Sequence, residues 1–147
     1  MKTIGIDPGI NGAVCIIQND NYKFIKTIPE KLKEIYDEII QADIIAIENV
    51  HAYPEQGSVS TFNFGYNYGM LKGLLYLSGK DFYSIEPRVW QSYYELPKVK
   101  NYNERKKQLY EEAKKYFPFV SKNEADALLI ANYIGVKYGN IWHNTNT

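Results

Sequence analysis

The sequence predicts an α/β domain built on one mixed, five-stranded sheet that is flanked by helices. Three short apolar runs come first, separated by turn-forming residues at 8–12 and 19–21. After them comes a segment with helical periodicity, then a wholly apolar run expected to be a strand, and then further helical segments. Strands that then alternate with helices are typical of α/β folds.

The first three strands are expected at 3–6, 13–18 and 22–28, where apolar or alternating residues are bounded by Gly, Pro, Asn and Asp. Because the connecting turns are short, these strands are predicted to be antiparallel. The single cysteine, Cys15, lies between apolar residues and is expected to be buried. One cysteine cannot form an intrachain disulfide, which fits a cytoplasmic setting.

A helix and a central strand are expected next. After Pro29, apolar residues recur at i, i+3, i+4, i+7 and i+8, the pattern of a helix that buries one stripe: Leu32, Ile35, Tyr36, Ile39 and Ile40. Residues 44–47 are apolar without alternation, as in a strand covered on both faces. A right-handed crossover can lay this strand parallel to the first, so that their carboxyl ends meet at one edge.

A long helix near 59–78 is the next predicted element, after a loop at 49–58. Gly65, Gly69 and Gly73 recur every four residues in it and share one face. Each interior glycine costs about 1 kcal/mol relative to Ala, which favours close approach of another backbone. That backbone is either the protein's own sheet or a second copy of the chain.

The remaining elements complete one domain, predicted to span residues 1–139. A strand is expected at 81–85, and helices at 87–95, from a cap at Asn103 to 117, and at 124–138. Residues 140–147 are predicted to form a flexible tail.

Composition and charge restrict the possible functions. The 147 residues are 45% hydrophobic and include 14 Tyr, 6 Phe and 2 Trp, which excludes bulk disorder. No apolar run approaches the roughly 18 residues of a membrane span, so no membrane partner is expected. The net charge is zero and gives no argument for nucleic-acid binding, although residues 98–122 hold eight basic and three acidic side chains. A solvated helix face would show the same local excess.

Three acidic residues lie where the predicted fold can bring them together. Asp7 ends the first strand before a tight Pro-Gly turn. Glu48 ends the apolar fourth strand, where an unpaired carboxylate would be costly. Asp126 lies in the first turn of an apolar helix, whereas Glu124 is explained by a capping box that begins at Ser121. Open α/β sheets bind ligands at the carboxyl ends of their strands, so we expect a site there.

Together these motifs resemble one known family. The segments IGIDPG at 4–9, IAIE at 45–48 and EADAL at 124–128 are similar to those of the RuvC-type Holliday junction resolvases, which belong to the RNase H-like nuclease superfamily. The stretches VHAYP at 50–54 and FNFG at 62–65 look especially like the phage-encoded branch. The resemblance implies an RNase H-like fold and a protein of the bacterial cytoplasm, encoded by the bacterium or by a phage.

The resemblance also implies a homodimer that cuts opposed strands of a four-way DNA junction with two Mg²⁺ or Mn²⁺ ions per active site. Such ions prefer oxygen ligands and can activate water and stabilise a leaving oxygen. Asp7 would bind both ions, Glu48 one and Asp126 the other. Family members commonly carry a further ligand three residues before the final aspartate, where this chain has Asn123. Glu124 is the alternative fourth ligand, and both residues are candidate catalytic groups.

DNA-binding residues are implied in two regions. His51 and Tyr53 lie in the loop after the strand glutamate, where family members place a side chain that opens or stacks on bases at the crossover. Trp90 stands where the family often has a lysine, so that Arg88 is expected to supply that charge. The basic residues expected to bind phosphates are Arg88, Arg105, Lys106 and Lys107.

Three functions remain open from the sequence. The leading one is a junction-resolving endonuclease in DNA recombination, DNA repair or phage DNA processing. An RNase H-like nuclease for other branched DNA or hybrids would use the same metal chemistry. A branched-DNA binding protein without catalysis is the third, motivated by Asn123 and the zero net charge. A sugar-kinase or actin-type architecture needs two domains and is excluded by the chain length.

Overall fold

The protein is built on one five-stranded sheet. The computed structural model describes the backbone of residues 1–146 and the side chains of residues 1–139. The sheet has the order β3-β2-β1-β4-β5. Strands β1 to β3 are antiparallel, and β4 and β5 run parallel to β1. The predicted mixed sheet is therefore confirmed, with these strands: β1 (Lys2–Ile6), β2 (Ala13–Gln18), β3 (Asn21–Lys26), β4 (Ile44–Glu48) and β5 (Tyr83–Ile85).

Helices cover both faces of the sheet, and each face has its own cluster of buried apolar residues. Strand β4 is buried along its whole length, as predicted for a central strand. One face carries α1 (Leu32–Gln41), preceded by a 3₁₀ turn (Pro29–Lys31), and α2 (Ser58–Ser78). The opposite face carries α3 (Pro87–Ser92), α4 (Tyr102–Lys114) and α5 (Ala125–Asn146).

The boundaries of α3 and α4 differ from the predicted ones. The cap of α4 is Asn101 rather than Asn103, because the Asn101 side chain accepts a hydrogen bond from the Glu104 backbone N–H at 2.9 Å. Helix α4 ends at residue 114 instead of 117. Helix α3 ends at residue 92 instead of 95, and Glu95 has a φ of 51°, outside the right-handed helical region.

Helix α5 is longer than predicted. Its backbone is helical to Asn146, whereas the sequence analysis ended it at 138. The side chains from residue 140 onwards, and Thr147 as a whole, lie outside the described residues, so the flexible tail at 140–147 stays a prediction. No helix among the described residues is long and apolar enough to cross a membrane.

Helix α5 packs directly on β1 at Gly5. A Cβ atom at Gly5 would lie 2.3 Å from the backbone nitrogen of Ala131 and 2.5 Å from the carbonyl oxygen of Ala127. Neither backbone atom can move without moving the helix, so only glycine allows this approach. Since Asp7 follows Gly5 by two residues and Asp126 precedes Ala127, the same contact brings two of the predicted acids to one end of the sheet.

The three glycines of α2 were predicted to pack either against the protein's own sheet or against a second copy of the chain. The structure contradicts the first of these explanations. Among the described residues, a Cβ atom on Gly65, Gly69 or Gly73 would meet no atom within 4 Å. Aromatic and apolar side chains lie along the same face of α2, exposed by 63 to 79%: Phe62, Tyr66, Tyr76 and Leu77. We call this surface, with its three glycines, the glycine-aromatic face.

Candidate active site

The carboxyl ends of β1 and β4 lie side by side, as the predicted crossover requires. Ile6 pairs with Ile47 in the parallel register, so Asp7 and Glu48 follow at neighbouring positions. Asp126 reaches the same place from the first turn of α5. The charge of Asp126 raises the pKa of Asp7, and the charges of Asp7 and Asp126 raise the pKa of Glu48, so the three acids form one carboxylate cluster.

Asp7 is held by the turn that follows it. Its Oδ1 accepts a hydrogen bond from the Gly9 backbone N–H at 3.0 Å. The turn closes tightly on itself, since a Cβ atom at Gly12 would lie 2.0 Å from the Asp7 carbonyl oxygen. Burial, followed by the negative charge of Asp126, raises the pKa of Asp7 to about 6, although the Gly9 hydrogen bond opposes the rise.

Glu48 is bound by Trp90, a residue to which the sequence analysis gave no role in the carboxylate cluster. The Trp90 indole N–H donates to Glu48 Oε2 at 2.7 Å, and Trp90 is fully buried. This donor orients the carboxylate without adding a charge. Burial, followed by the charge of Asp7, raises the pKa of Glu48 to about 8, whereas the Trp90 hydrogen bond lowers it.

Asp126 is paired with Lys106 of α4. The Lys106 ammonium donates to Asp126 Oδ2, and Asp126 is only 5% exposed. Burial alone would lower the pKa of Lys106, but the charge and hydrogen bond of Asp126 outweigh it and hold this pKa above its usual range. Lys106, predicted as a phosphate ligand, therefore lies inside the carboxylate cluster and neutralises part of its charge.

The chemistry of the cluster suits a hard divalent cation. Three carboxylates supply the oxygen ligands that Mg²⁺ and Mn²⁺ prefer. In the described part of the chain, however, no group of three His, Cys, Asp or Glu side chains is arranged to hold one ion. Lys106 bonds to Oδ2 of Asp126, so an ion that bound this oxygen would displace the ammonium.

Asn123 and Glu124 lie in the turn before α5. Oε1 of Glu124 accepts a hydrogen bond from the Ser121 backbone N–H at 2.9 Å, which is the bond of the predicted capping box. Asn123 is exposed. The choice between them as a fourth ligand stays a prediction.

Two of the predicted phosphate-binding residues share a cleft outside the carboxylate cluster. Arg88, with Gln91 and Ser92, lines one side, and Arg105 of α4 lines the other. Lys107 is exposed on α4. Arg88, Arg105 and Lys107 form no ion pair among the described residues. Their charges are available to an anionic ligand.

The loop after β4 presents the two predicted base-contacting residues to solvent. Tyr53 is 74% exposed. The His51 side chain is 68% exposed, and its Nε2 lies 3.5 Å from Glu86 Oε1. Glu86 also accepts a hydrogen bond from the Asn49 side chain at 2.6 Å, which fixes the start of the loop.

The raised pKa values predict that the metal-free protein loses stability as the pH rises. Asp7 and Glu48 ionise at about 6 and about 8 when folded, compared with ordinary values of 3.8 and 4.5. Between these values the unfolded chain has released protons that the folded protein still binds, so the free energy of unfolding falls from about pH 4 to about pH 8. Melting curves in EDTA measure this, and a flat or rising melting temperature would contradict the assignment.

Comparison with known proteins establishes the fold. No protein-family model matches the sequence, and no curated protein matches it. Two solved RuvC structures from Thermus thermophilus each match 96% of this chain and 96% of their own, with a TM-score of 0.61. One, 16% identical, is in complex with a Holliday junction substrate, and the other is 17% identical. The chain thus has the RNase H-like fold of RuvC.

Proposed function

We propose that this protein is a metal-dependent endonuclease that resolves four-way DNA junctions by paired phosphodiester hydrolysis, in DNA recombination, repair or phage DNA processing. The observation that carries the proposal is the carboxylate cluster at the ends of β1 and β4. Crowding two buried acids and the half-buried Asp7 together is costly for stability, and acids with raised pKa values such as Asp7 and Glu48 are typical of functional sites. The RuvC structure that holds a Holliday junction substrate shares this fold.

Each residue of the cluster has a role in the proposal. Two Mg²⁺ or Mn²⁺ ions, when bound, would activate water and stabilise the leaving oxygen. Asp7 would contact both ions, Glu48 one and Asp126 the other. Trp90 would keep Glu48 in one orientation. Lys106, once it leaves Asp126, would bring its ammonium to a DNA phosphate.

The DNA would extend from the cluster over the cleft between α3 and α4. Arg88 and Arg105 line this cleft and can hold phosphates as bidentate donors. Lys107 adds a charge on the same helix as Arg105. On the other side, His51 and Tyr53 would meet bases at the crossover, where stacking is worth about 1–3 kcal/mol per base. We also propose that the protein acts in the bacterial cytoplasm and belongs to the phage-type branch, which residues 50–65 suggest.

Cleavage of a strand-labelled, immobile four-way junction tests the proposed function. Linear duplex, flap and RNA–DNA hybrid substrates serve as controls, each with EDTA, Mg²⁺ or Mn²⁺. Paired symmetric nicks that need metal and occur only at the junction would support a resolvase. Equal cutting of flaps or hybrids would indicate a broader RNase H-like nuclease, and binding without cutting would leave a branched-DNA binding protein.

The fourth-ligand choice can be decided with two matched variants. Asn123→Asp is expected to keep or improve activity, since it adds a charged oxygen ligand at an exposed position. Glu124→Gln is expected to cost up to about 1 kcal/mol of stability through the weakened capping box, with cleavage retained. Cleavage rates and melting temperatures of both variants test this. No change in Asn123→Asp combined with lost cleavage in Glu124→Gln would move the role to Glu124.

A homodimer is part of the proposal, and the glycine-aromatic face of α2 is its expected interface. This face exposes apolar rings beside glycines that leave room for a second helix. Gly69→Lys should raise the dimer dissociation constant by about tenfold or more without harming the fold, because the site is open and lysine favours helix.

Light scattering over a range of concentrations measures this effect. Phe119→Lys is the control, because Phe119 is 85% exposed and its ring contacts Phe117, which packs against the cluster on the opposite face of the sheet. If Gly69→Lys has the same dimer dissociation constant as the wild type, the interface does not lie on the glycine-aromatic face. A monomeric wild-type protein would remove the dimer from the proposal.

A further inference from the structure

Asn67 of α2 is bound to the turn that follows Asp7. Its side-chain amide donates to the carbonyl oxygens of Pro8 at 2.9 Å and Gly9 at 3.0 Å. The Thr27 hydroxyl lies 3.5 Å from the same nitrogen. An amide NH₂ has two protons, so these two carbonyls use its whole donor capacity.

Gly9 connects Asn67 to Asp7 through two hydrogen bonds. The carbonyl oxygen of Gly9 accepts from Asn67, and its backbone N–H donates to Asp7 Oδ1. Gly9 O also accepts from the Gly12 N–H at 2.9 Å, which closes the turn. A shift of Gly9 would therefore move the donor that orients the Asp7 carboxylate.

The next residue of α2 reaches the loop that carries the second acid. The Tyr68 hydroxyl donates to Asn49 Oδ1 at 3.3 Å, and Asn49 directly follows Glu48. Two consecutive side chains of one helix thus bind the segments that leave β1 and β4. The Tyr68 bond is single and long, so Asn67 makes the stronger connection.

We propose that Asn67 is a positioning residue that holds the Pro8–Gly9 turn and thereby the Asp7 carboxylate. The proposal rests on the proposed function of the carboxylate cluster. Asn67 touches neither the acids nor any reacting atom; it acts through Gly9. Partners that orient metal ligands from outside typically change activity or metal affinity by about 10- to 100-fold when they are lost.

The test compares Asn67→Ala with Asn21→Ala. Asn21, the first residue of β3, makes the same type of bond far from the carboxylate cluster, from its amide to the Asn19 carbonyl oxygen at 3.2 Å. The measurements are kcat and KM on a labelled junction, Mn²⁺ affinity by calorimetry, and hydrogen exchange of the Gly9 amide by NMR. Asn67→Ala should lower kcat about tenfold or more with KM little changed, weaken Mn²⁺ binding and speed Gly9 exchange. Asn21→Ala should match the wild type.

The outcomes separate this inference from the proposed function. If the wild type cuts junctions and Asn67→Ala matches it in kcat, Mn²⁺ affinity and Gly9 exchange, the positioning role is wrong. If the wild type cuts no junction, the proposed function fails. The role of Asn67 is then still decided by comparing the Mn²⁺ affinity and the Gly9 amide exchange rate of Asn67→Ala with those of the wild type. Should Asn67→Ala not fold, the near-isosteric Asn67→Asp, which loses the donors, takes its place. Unfolding of both variants would show a purely structural residue and overturn the inference.

Discussion

Replacing Asp7 with Asn is expected to abolish junction cleavage and to leave junction binding intact. Asp7 interacts with both other acids of the carboxylate cluster, because its charge raises the pKa of Glu48 and the charge of Asp126 raises its own pKa. Asn has nearly the same shape, and its side-chain oxygen can keep the hydrogen bond from the Gly9 N–H. Under the proposed function the variant would lose an anionic metal ligand, so the cleavage rate should fall about 1000-fold or more.

Single-turnover cleavage and gel-shift binding in EDTA measure the two halves of this prediction. Asp20→Asn is the matched control: Asp20 is exposed in the turn between β2 and β3, and its φ of 62° is one that Asn also adopts readily. Asp7→Asn should also melt higher than the wild type in EDTA near pH 8, because one buried charge is gone. Cleavage within a few-fold of wild type would remove Asp7 from the site.

Gly5→Ala is expected to damage both the fold and the site through one methyl group. The added Cβ would meet backbone atoms of Ala127 and Ala131, which cannot turn aside as a side chain can. Helix α5 must therefore move off β1, and overpacking of this kind costs about 1–3 kcal/mol or more. The displacement carries Asp126 away from Asp7, so we expect a larger loss of cleavage than the loss of stability alone would explain.

Gly135→Ala provides a control in the same interface. Gly135 lies on α5, where a Cβ atom would meet Thr3 side-chain atoms at 3.4 to 3.8 Å, which is ordinary packing distance. This change should be tolerated and can gain up to about 1 kcal/mol from helix propensity. Urea unfolding and junction cleavage of both variants complete the experiment. Equal behaviour of the two alanine variants would mean that the close contact at Gly5 does not hold the site together.

The backbone framework could be predicted because it depends on local patterns. The apolar run of β4 and the stripe of α1 each follow from periodicity, and the acids at the ends of β1 and β4 follow from the crossover. The cap of α4 was also within reach, since Asn101 is followed three residues later by Glu104, a pattern typical of helix starts. Asn103, the predicted cap, has Lys106 at the corresponding position and lacks this pattern.

The contacts around the acids could not be predicted in the same way. Trp90 binds Glu48 across 42 residues, and Asn67 binds Pro8 across 59. Such pairs depend on how helices pack over the sheet, and no periodicity in the sequence encodes them. Lys106 illustrates the limit: its charge was noted as a phosphate ligand, but its bond to Asp126 follows only from the packing of α4 against α5.

The contact between Gly5 and α5 also sets the order in which a growing chain could become able to cut DNA. Asp7 and Glu48 leave the ribosome before Asp126, which is translated more than a hundred residues after Asp7. A nascent chain or proteolytic fragment without α5 has a bare β1 surface and an incomplete set of carboxylates. Under the proposed function, such partial products would lack a complete nuclease site, and cleavage would require the docking of α5.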